Sequence, residues 1–153
     1  STISPETFEF TANLLERGVD VSEIYKKVLQ TKTKAHFKLS QLATSRLEFL
    51  EDEKVTFTYI TKEDEEKVNA EPGDHEGIVE LGRDIEGVEV AILLRETDEG
   101  FKASLRSNGN INVSDICMMF GGGGHPAAAG CTLSYSLEDA KQKIISQVKA
   151  NLH

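Results

Sequence analysis

The spacing of apolar positions changes near residue 50. Before that point apolar residues recur every three or four positions, as on one face of a helix. This period, with capping residues at the segment ends, predicts helices over 5–17 and 34–50 and a further helical stretch between them. From Val55 to Tyr59 the period is two, because apolar residues alternate with threonine. The chain therefore passes from helices into a sheet.

The remaining pattern predicts a mixed β-sheet flanked by helices. Apolar or alternating segments are typical of strands, and segments that start with a capping residue are typical of helices. The predicted strands are 55–59, 88–94, 101–106 and 131–135, and the predicted helices are 61–69, 78–85, 113–120 and 137–150. We expect an α/β fold, with a helical arm or linker over 1–50 and the main domain over 51–153.

Composition narrows the class of protein. A chain of 153 residues can bury one hydrophobic core, and no apolar run approaches the roughly 18 to 20 residues that span a bilayer. Cys117 and Cys131 have no metal-binding or redox spacing, so we expect free thiols and a cytoplasmic protein without membrane contact. The chain starts at Ser1 without Met or a signal pattern, and we expect it to be an excised fragment.

Net charge limits the possible partners. The formal charge of −9 argues against indiscriminate binding to duplex DNA, which requires many cations. The segment 22–46 nevertheless carries six Lys or Arg residues and a single Glu. A basic helix face of this kind could guide an oligonucleotide, although a solvated face is the more frequent explanation.

The most informative segment contains four consecutive glycines, Gly121 to Gly124, followed by His125 and Pro126. Ordering glycines is costly, so a fold retains them where side chains would obstruct something, such as an approaching ligand. Pro126 suits the start of a short helix, whose free N–H groups would then face the glycine turn and favour a phosphate. A flexible hinge, or a place where two backbones cross, explains the glycines equally well. Neither a P-loop nor a Rossmann loop fits, since no Gly-Lys-Ser/Thr follows and a helix precedes.

The string Phe120 to Gly130, preceded by Ser104-Leu105-Arg106-Ser107, resembles the signature of the DHHA1 domain in DHH-family phosphoesterases. The most similar members are the oligoribonuclease/pAp phosphatases, or nanoRNases, some of which are described as exopolyphosphatase-related. Segments 76–79 and 87–91 are similar to the central part of that domain, and 1–50 resembles the end of a DHH domain with its connector. The resemblance covers nearly the whole chain.

The resemblance implies a two-domain hydrolase that acts on short oligoribonucleotides or pAp. Its DHH domain, absent from this chain, binds two Mn²⁺ or Mg²⁺ ions, and its DHHA1 domain holds the substrate. The implied substrate- and phosphate-binding residues are Arg106, Ser107, Gly122, Gly123, Gly124 and His125. The chain alone is expected to be inactive, with no catalytic residue, metal ligand or cofactor of its own. Simpler explanations also exist, since Arg106 could pair with a surface carboxylate and His125 could merely pack against the loop.

Three further expectations concern metals and partners. Asp74-His75-Glu76 resembles the Asp-His-His sequence of the family name, but we interpret it as a solvated loop, and His36 and His153 have no ligand companions. Expected partners are pAp or a short oligonucleotide and the chain's own DHH domain, and the sequence leaves both a monomer and a homodimer open. The alternative functions are a nucleic-acid-binding module for tRNA or single strands, and binding of polyphosphate.

Overall fold

The computed structural model describes residues 4–152, which form two compact units that divide between Thr33 and Lys34. The first unit consists of α1 (Pro5–Glu16), α2 (Val21–Tyr25) and a π-helical turn (Lys26–Gln30). None of the helical residues described in this unit is buried. The prediction that helices precede the sheet is confirmed.

The second unit is built on a six-stranded sheet. Its strands are β1 (Glu48–Leu50), β2 (Val55–Ile60), β3 (Val90–Thr97), β4 (Gly100–Ser107), β5 (Gly123–His125) and β6 (Ala128–Leu133). Its helices are α3 (Lys34–Ser45), α4 (Lys62–Val68), α5 (Ile78–Arg83), α6 (Val113–Met118) and α7 (Leu137–Asn151). The strand order is β1–β2–β3–β4–β6–β5, in which β2 and β3 run parallel and all other neighbours antiparallel. The predicted α/β fold with a mixed sheet is confirmed.

The two faces of this sheet are covered differently. Alternate strand residues such as Ile92 and Leu105 are buried in a core with residues of α6 and α7. On the opposite face Ala91 and Leu93 of β3 are buried in a second core with residues of α3 and α5. His125, at the β5 edge of this second face, remains exposed. Part of one sheet face is therefore open to ligands.

The predicted helix over 34–50 is confirmed as far as Ser45 and wrong beyond it. Helix α3 ends at Ser45, and Glu48–Leu50 forms an edge strand that pairs antiparallel with β2. The turn between β1 and β2 holds Glu51, Asp52 and Glu53 at positive φ values of 50°, 54° and 64°. The pattern of side chains does not reveal this backbone conformation. Since Leu39 and Ala43 of α3 are fully buried against sheet residues, this helix is part of the second compact unit. The predicted division into an arm over 1–50 and a main domain over 51–153 stays a prediction.

Candidate functional site

A strip of polar and small residues runs across β4, β6 and β5. Directly paired residues of antiparallel strands point to the same face, so the register arranges them in rows about 7 Å apart. The rows are Ala91, Arg106, Ala128 and His125; then Leu93, Ser104, Gly130 and Gly123; then Arg95, Lys102 and Thr132. Cationic side chains thus lie at both ends of the strip, with small residues between them.

A cavity of about 440 Å³ lies where α5 and its preceding loop meet this strip. Its charged and polar lining residues are His75, Glu76, Glu80, Arg95, Lys102, Ser104 and Arg106. Three strand cations therefore share one concave surface in a chain whose net charge is −9. The volume of the cavity lies in the range of pockets that bind small molecules.

Arg106 is positioned by a carboxylate beneath it. Its Nε donates to Oε1 of Glu80 at 2.8 Å, and its Nη1 donates to the carbonyl oxygen of Leu105 at 3.0 Å. About a quarter of each charged side chain is exposed, at 26% for Arg106 and 28% for Glu80. The pairing resembles the surface ion pair that was the simpler explanation for Arg106, but it is half-buried in the cavity wall. It orients the guanidinium while leaving further N–H donors for a ligand.

At the end of the cavity away from Arg106, fewer carboxylates pair with the positive charges. Nη1 of Arg95 lies 3.5 Å from Oε1 of Glu65, and Nδ1 of His75 lies 3.9 Å from the same oxygen. Within residues 4–152, no carboxylate forms an ion pair with Lys102. Burial, followed by the positive charge of Arg95, lowers the pKa of His75, and Lys102 acts in the same direction. Both effects disfavour the charged form of the imidazole.

The interpretation of Asp74-His75-Glu76 as a solvated loop is confirmed for Glu76, which is exposed in a turn, but is wrong for Asp74. Asp74 is buried, its Oδ2 accepts the N–H of Glu71 at 2.8 Å, and its carbonyl oxygen lies 2.9 Å from Nδ1 of His36. His75 and Glu76 line the cavity. The cause is an internally bonded turn that helix α3 anchors through His36, which sequence pattern cannot show. The other histidine considered as a ligand, His153, lies outside the described residues.

The glycine segment forms a β-hairpin, so the helix expected after Pro126 is wrong. Strands β5 and β6 pair antiparallel, and the carbonyl oxygen of Pro126 accepts the N–H of Val113 at 2.9 Å. A Cβ atom on Gly122 would lie 2.2 Å from the carbonyl oxygen of Gly130, and one on Gly124 would lie 2.5 Å from that of Ala128. These glycines allow two backbones to come together, which was the alternative explanation.

The remaining site residues occupy different places. Gly123 lies in the open row with Ser104. His125 is exposed at the end of β5 and lies in the same row as Arg106. The two residues are two strands apart, so their Cα atoms are separated by about 10 Å. Ser107 points to the opposite face, where it is buried and its Oγ accepts the N–H of Gly109 at 3.0 Å. The structure therefore brings Arg106, Gly123 and His125 to one face and separates Ser107 from them.

Sequence reasoning missed the residues at the second end of the cavity. Lys102 and Ser104 could have been found, because the alternation of β4 places them on the same face as Arg106. Arg95 and His75 could not have been found from the sequence. The position of Arg95 depends on the register between β3 and β4, and that of His75 depends on how the 71–76 turn packs.

Comparison with known proteins identifies the family. Residues 52–153, more than half of the chain, match the DHHA1 domain. The chain belongs to the DHHA1 domain family. The predicted resemblance is thereby confirmed for these residues.

Individual relatives match the DHHA1 domain and the helices before it. The chain is 33% identical over 150 residues to the bifunctional oligoribonuclease and PAP phosphatase NrnA of Thermus thermophilus, covering 97% of this chain and 44% of that protein. The crystal structure of an exopolyphosphatase-related protein from Bacteroides fragilis matches with a TM-score of 0.88 at 29% identity, over 96% of this chain and 44% of that one. A pGpG-specific phosphodiesterase from Vibrio cholerae shares the fold, with a TM-score of 0.61 at 17% identity. The chain spans less than half the length of the curated relative NrnA.

Residues 4–152 contain neither a metal-binding cluster nor a membrane-spanning helix. No group of three or more His, Cys, Asp or Glu side chains is arranged to hold a metal ion there. In the same part of the chain, no helix has the length and apolar character needed to cross a bilayer.

Proposed function

We propose that this DHHA1 domain binds the phosphate-bearing part of a short oligoribonucleotide or of pAp for a metal-dependent phosphoesterase. The observation that carries the proposal is the open sheet face on which Arg106 and His125 share a row beside a cationic cavity. A guanidinium can bind a phosphate through two parallel N–H bonds, and imidazole can add a third donor. The substrate class is supported by the name of the 33% identical relative.

In this proposal the chemistry belongs to a separate DHH domain. Mn²⁺ or Mg²⁺ held there would activate water as the nucleophile and polarise the P–O bonds of the substrate. The residues of this chain contribute position and charge: Arg106 orients one phosphate, and His125 donates to one of its oxygens. Gly123 leaves the strand backbone accessible, since its row carries no bulky side chain on β4 or β6. Holding the substrate in this way removes part of the entropic cost of the reaction.

Replacing Arg106 by Gln is expected to weaken the binding of pAp by about 10- to 100-fold, the range for a lost hydrogen bond to a charged group. Gln removes the positive charge but retains a donor for Glu80, whose Oε2 is buried without a hydrogen-bond partner among the described residues. Calorimetric titration of the 153-residue chain with pAp and with a ribodinucleotide measures the change. His125→Ala provides a second test at an exposed position where folding is not at risk.

Arg83→Gln is the matched control, because Arg83 pairs with Asp84 on the same helix as Glu80 and does not line the cavity. It should bind pAp like the original chain. Equal affinity in the original chain, Arg106→Gln and His125→Ala would exclude this face as the phosphate site. Equal binding of inorganic tripolyphosphate and pAp would favour the polyphosphate alternative.

A further inference from the structure

The end of the cavity away from Arg106 has the composition of a second anion site. Arg95 and Lys102 are paired directly across β3 and β4 and point to the same face. Lys102 precedes Arg106 by four residues on β4, so their Cα atoms lie about 13 Å apart. Ser104 lies midway between them, and all four side chains line the same cavity. The cationic positions are therefore two separate groups on one continuous surface.

The charges at this end are available for a ligand. The distance of 3.5 Å between Arg95 and Glu65 exceeds hydrogen-bond length, in contrast to the 2.8 Å between Arg106 and Glu80. Lys102 has no ion-pair partner within residues 4–152. Among the residues described, Glu65 is thus the single carboxylate within 4 Å of Arg95 and of the His75 ring. Because like charges lie close together here, an incoming anion would relieve their repulsion.

We propose that Arg95 and Lys102 form a subsite for a second phosphate group. The ligand class is a nucleotide that carries two phosphates, such as a nucleoside 3′,5′-bisphosphate or a 5′-phosphorylated dinucleotide. This inference rests on the proposed function, in which Arg106 and His125 bind the first phosphate. Between the two groups lies the row of Leu93, Ser104, Gly130 and Gly123, whose side chains on β4, β6 and β5 are all small, which leaves room for a sugar and base beside Leu93.

The test compares ligands that differ by one phosphate. Calorimetry of the 153-residue chain is performed with adenosine 3′,5′-bisphosphate and with AMP, for the original chain, Lys102→Gln and Arg106→Gln. Lys102→Gln should weaken bisphosphate binding about tenfold and AMP binding less than twofold, because the lost charge faces only the second phosphate. Lys67→Gln is the matched control, since Lys67 pairs with Glu63 on the exposed side of α4 and should affect neither ligand.

The outcomes separate this inference from the proposed function. If Arg106→Gln weakens both ligands while Lys102→Gln weakens neither, or both equally, the second subsite is refuted and the proposed function stands. If the original chain binds neither nucleotide, or Arg106→Gln changes neither affinity, the proposed function itself fails and the subsite fails with it.

His75 provides an independent readout of the same subsite. Burial and the charges of Arg95 and Lys102 lower its pKa, whereas Glu65 and Glu76 act in the opposite direction. A phosphate bound to Arg95 and Lys102 stabilises the imidazolium, so the pKa of His75 should rise on addition of the bisphosphate but not of AMP. NMR titration of the imidazole protons follows this change. An unchanged pKa at saturating bisphosphate would overturn the assignment.

Discussion

Replacing Arg46 by Met is expected to lower the free energy of unfolding by about 3 kcal/mol, the lower end of the cost of leaving a buried charge unpaired. Nη1 and Nη2 of Arg46 donate to the two carboxylate oxygens of Asp64 at 2.5 and 3.1 Å, and the guanidinium lies 4.6 Å from the centre of the Tyr59 ring. Only 6% of the Asp64 side chain is exposed, so water cannot replace these bonds. Urea denaturation at pH 7 measures the loss.

The same pair makes folding sensitive to acid. Burial alone would raise the pKa of Asp64, but hydrogen bonds from Arg46 and from the backbone and side chain of Thr61 outweigh it and lower the pKa to about 2. Since the unfolded value is about 3.9, this stabilisation is complete above pH 4 and is lost as the pH falls towards 2. This contribution of Asp64 to the free energy of unfolding amounts to about 2 kcal/mol. Asp64→Asn should flatten the dependence of unfolding free energy on pH in that window.

A surface ion pair on the same helix serves as the control. Lys67 pairs with Glu63 on α4, and both side chains are largely exposed. Lys67→Met should leave the urea midpoint nearly unchanged, because exposed pairs contribute little. If Arg46→Met were as stable as this control, the Arg46–Asp64 pair would not be a structural link between the end of α3 and α4.

Local pattern predicted the fold where it agreed with the packing that the sheet requires. The alternation of Phe101 to Arg106 gave a strand with one buried face, and Ser136 begins α7 by accepting the N–H of Asp139. It failed at Glu48–Leu50, where pairing with β2 overrides a helical pattern that continues from α3. It failed again after Pro126, because the register of β6 with β4 and β5 outweighs the helix preference of a proline followed by alanines.

The candidate site was likewise predicted in part from the sequence. Arg106 and His125 were found through a motif, and the structure places them in one row. Ser107 follows Arg106 in the sequence but points to the opposite face, since the side chains of a strand alternate. Arg95 reaches the cavity only through pairing of Val90–Thr97 with β4, and His75 only through the turn around Asp74. Tertiary contacts, which pattern does not encode, supply that half of the surface.

Replacing Gly122 by Ala is expected to lower the free energy of unfolding by about 3 kcal/mol, the upper end of the cost of overpacking. The new Cβ atom would lie 2.2 Å from the carbonyl oxygen of Gly130 and 2.7 Å from Cα of Cys131. Both are backbone atoms of β6, whose place is fixed by pairing with β4, so the chain before β5 must move away. Thermal unfolding should show the midpoint falling by about 10 °C for a chain of this length.

Gly123→Ala changes the adjacent residue by the same methyl group and gives the opposite expectation. No heavy atom of residues 4–152 lies within 4 Å of the position of its Cβ, and Gly123 does not have a positive φ. Its stability should match that of the original chain, while the methyl group enters the open row with Ser104 and Gly130, where it should weaken pAp binding under the proposed function. Equal destabilisation by both substitutions would mean that the glycines serve flexibility. A stable Gly123→Ala chain with reduced binding would instead assign backbone packing to Gly122 and ligand access to Gly123.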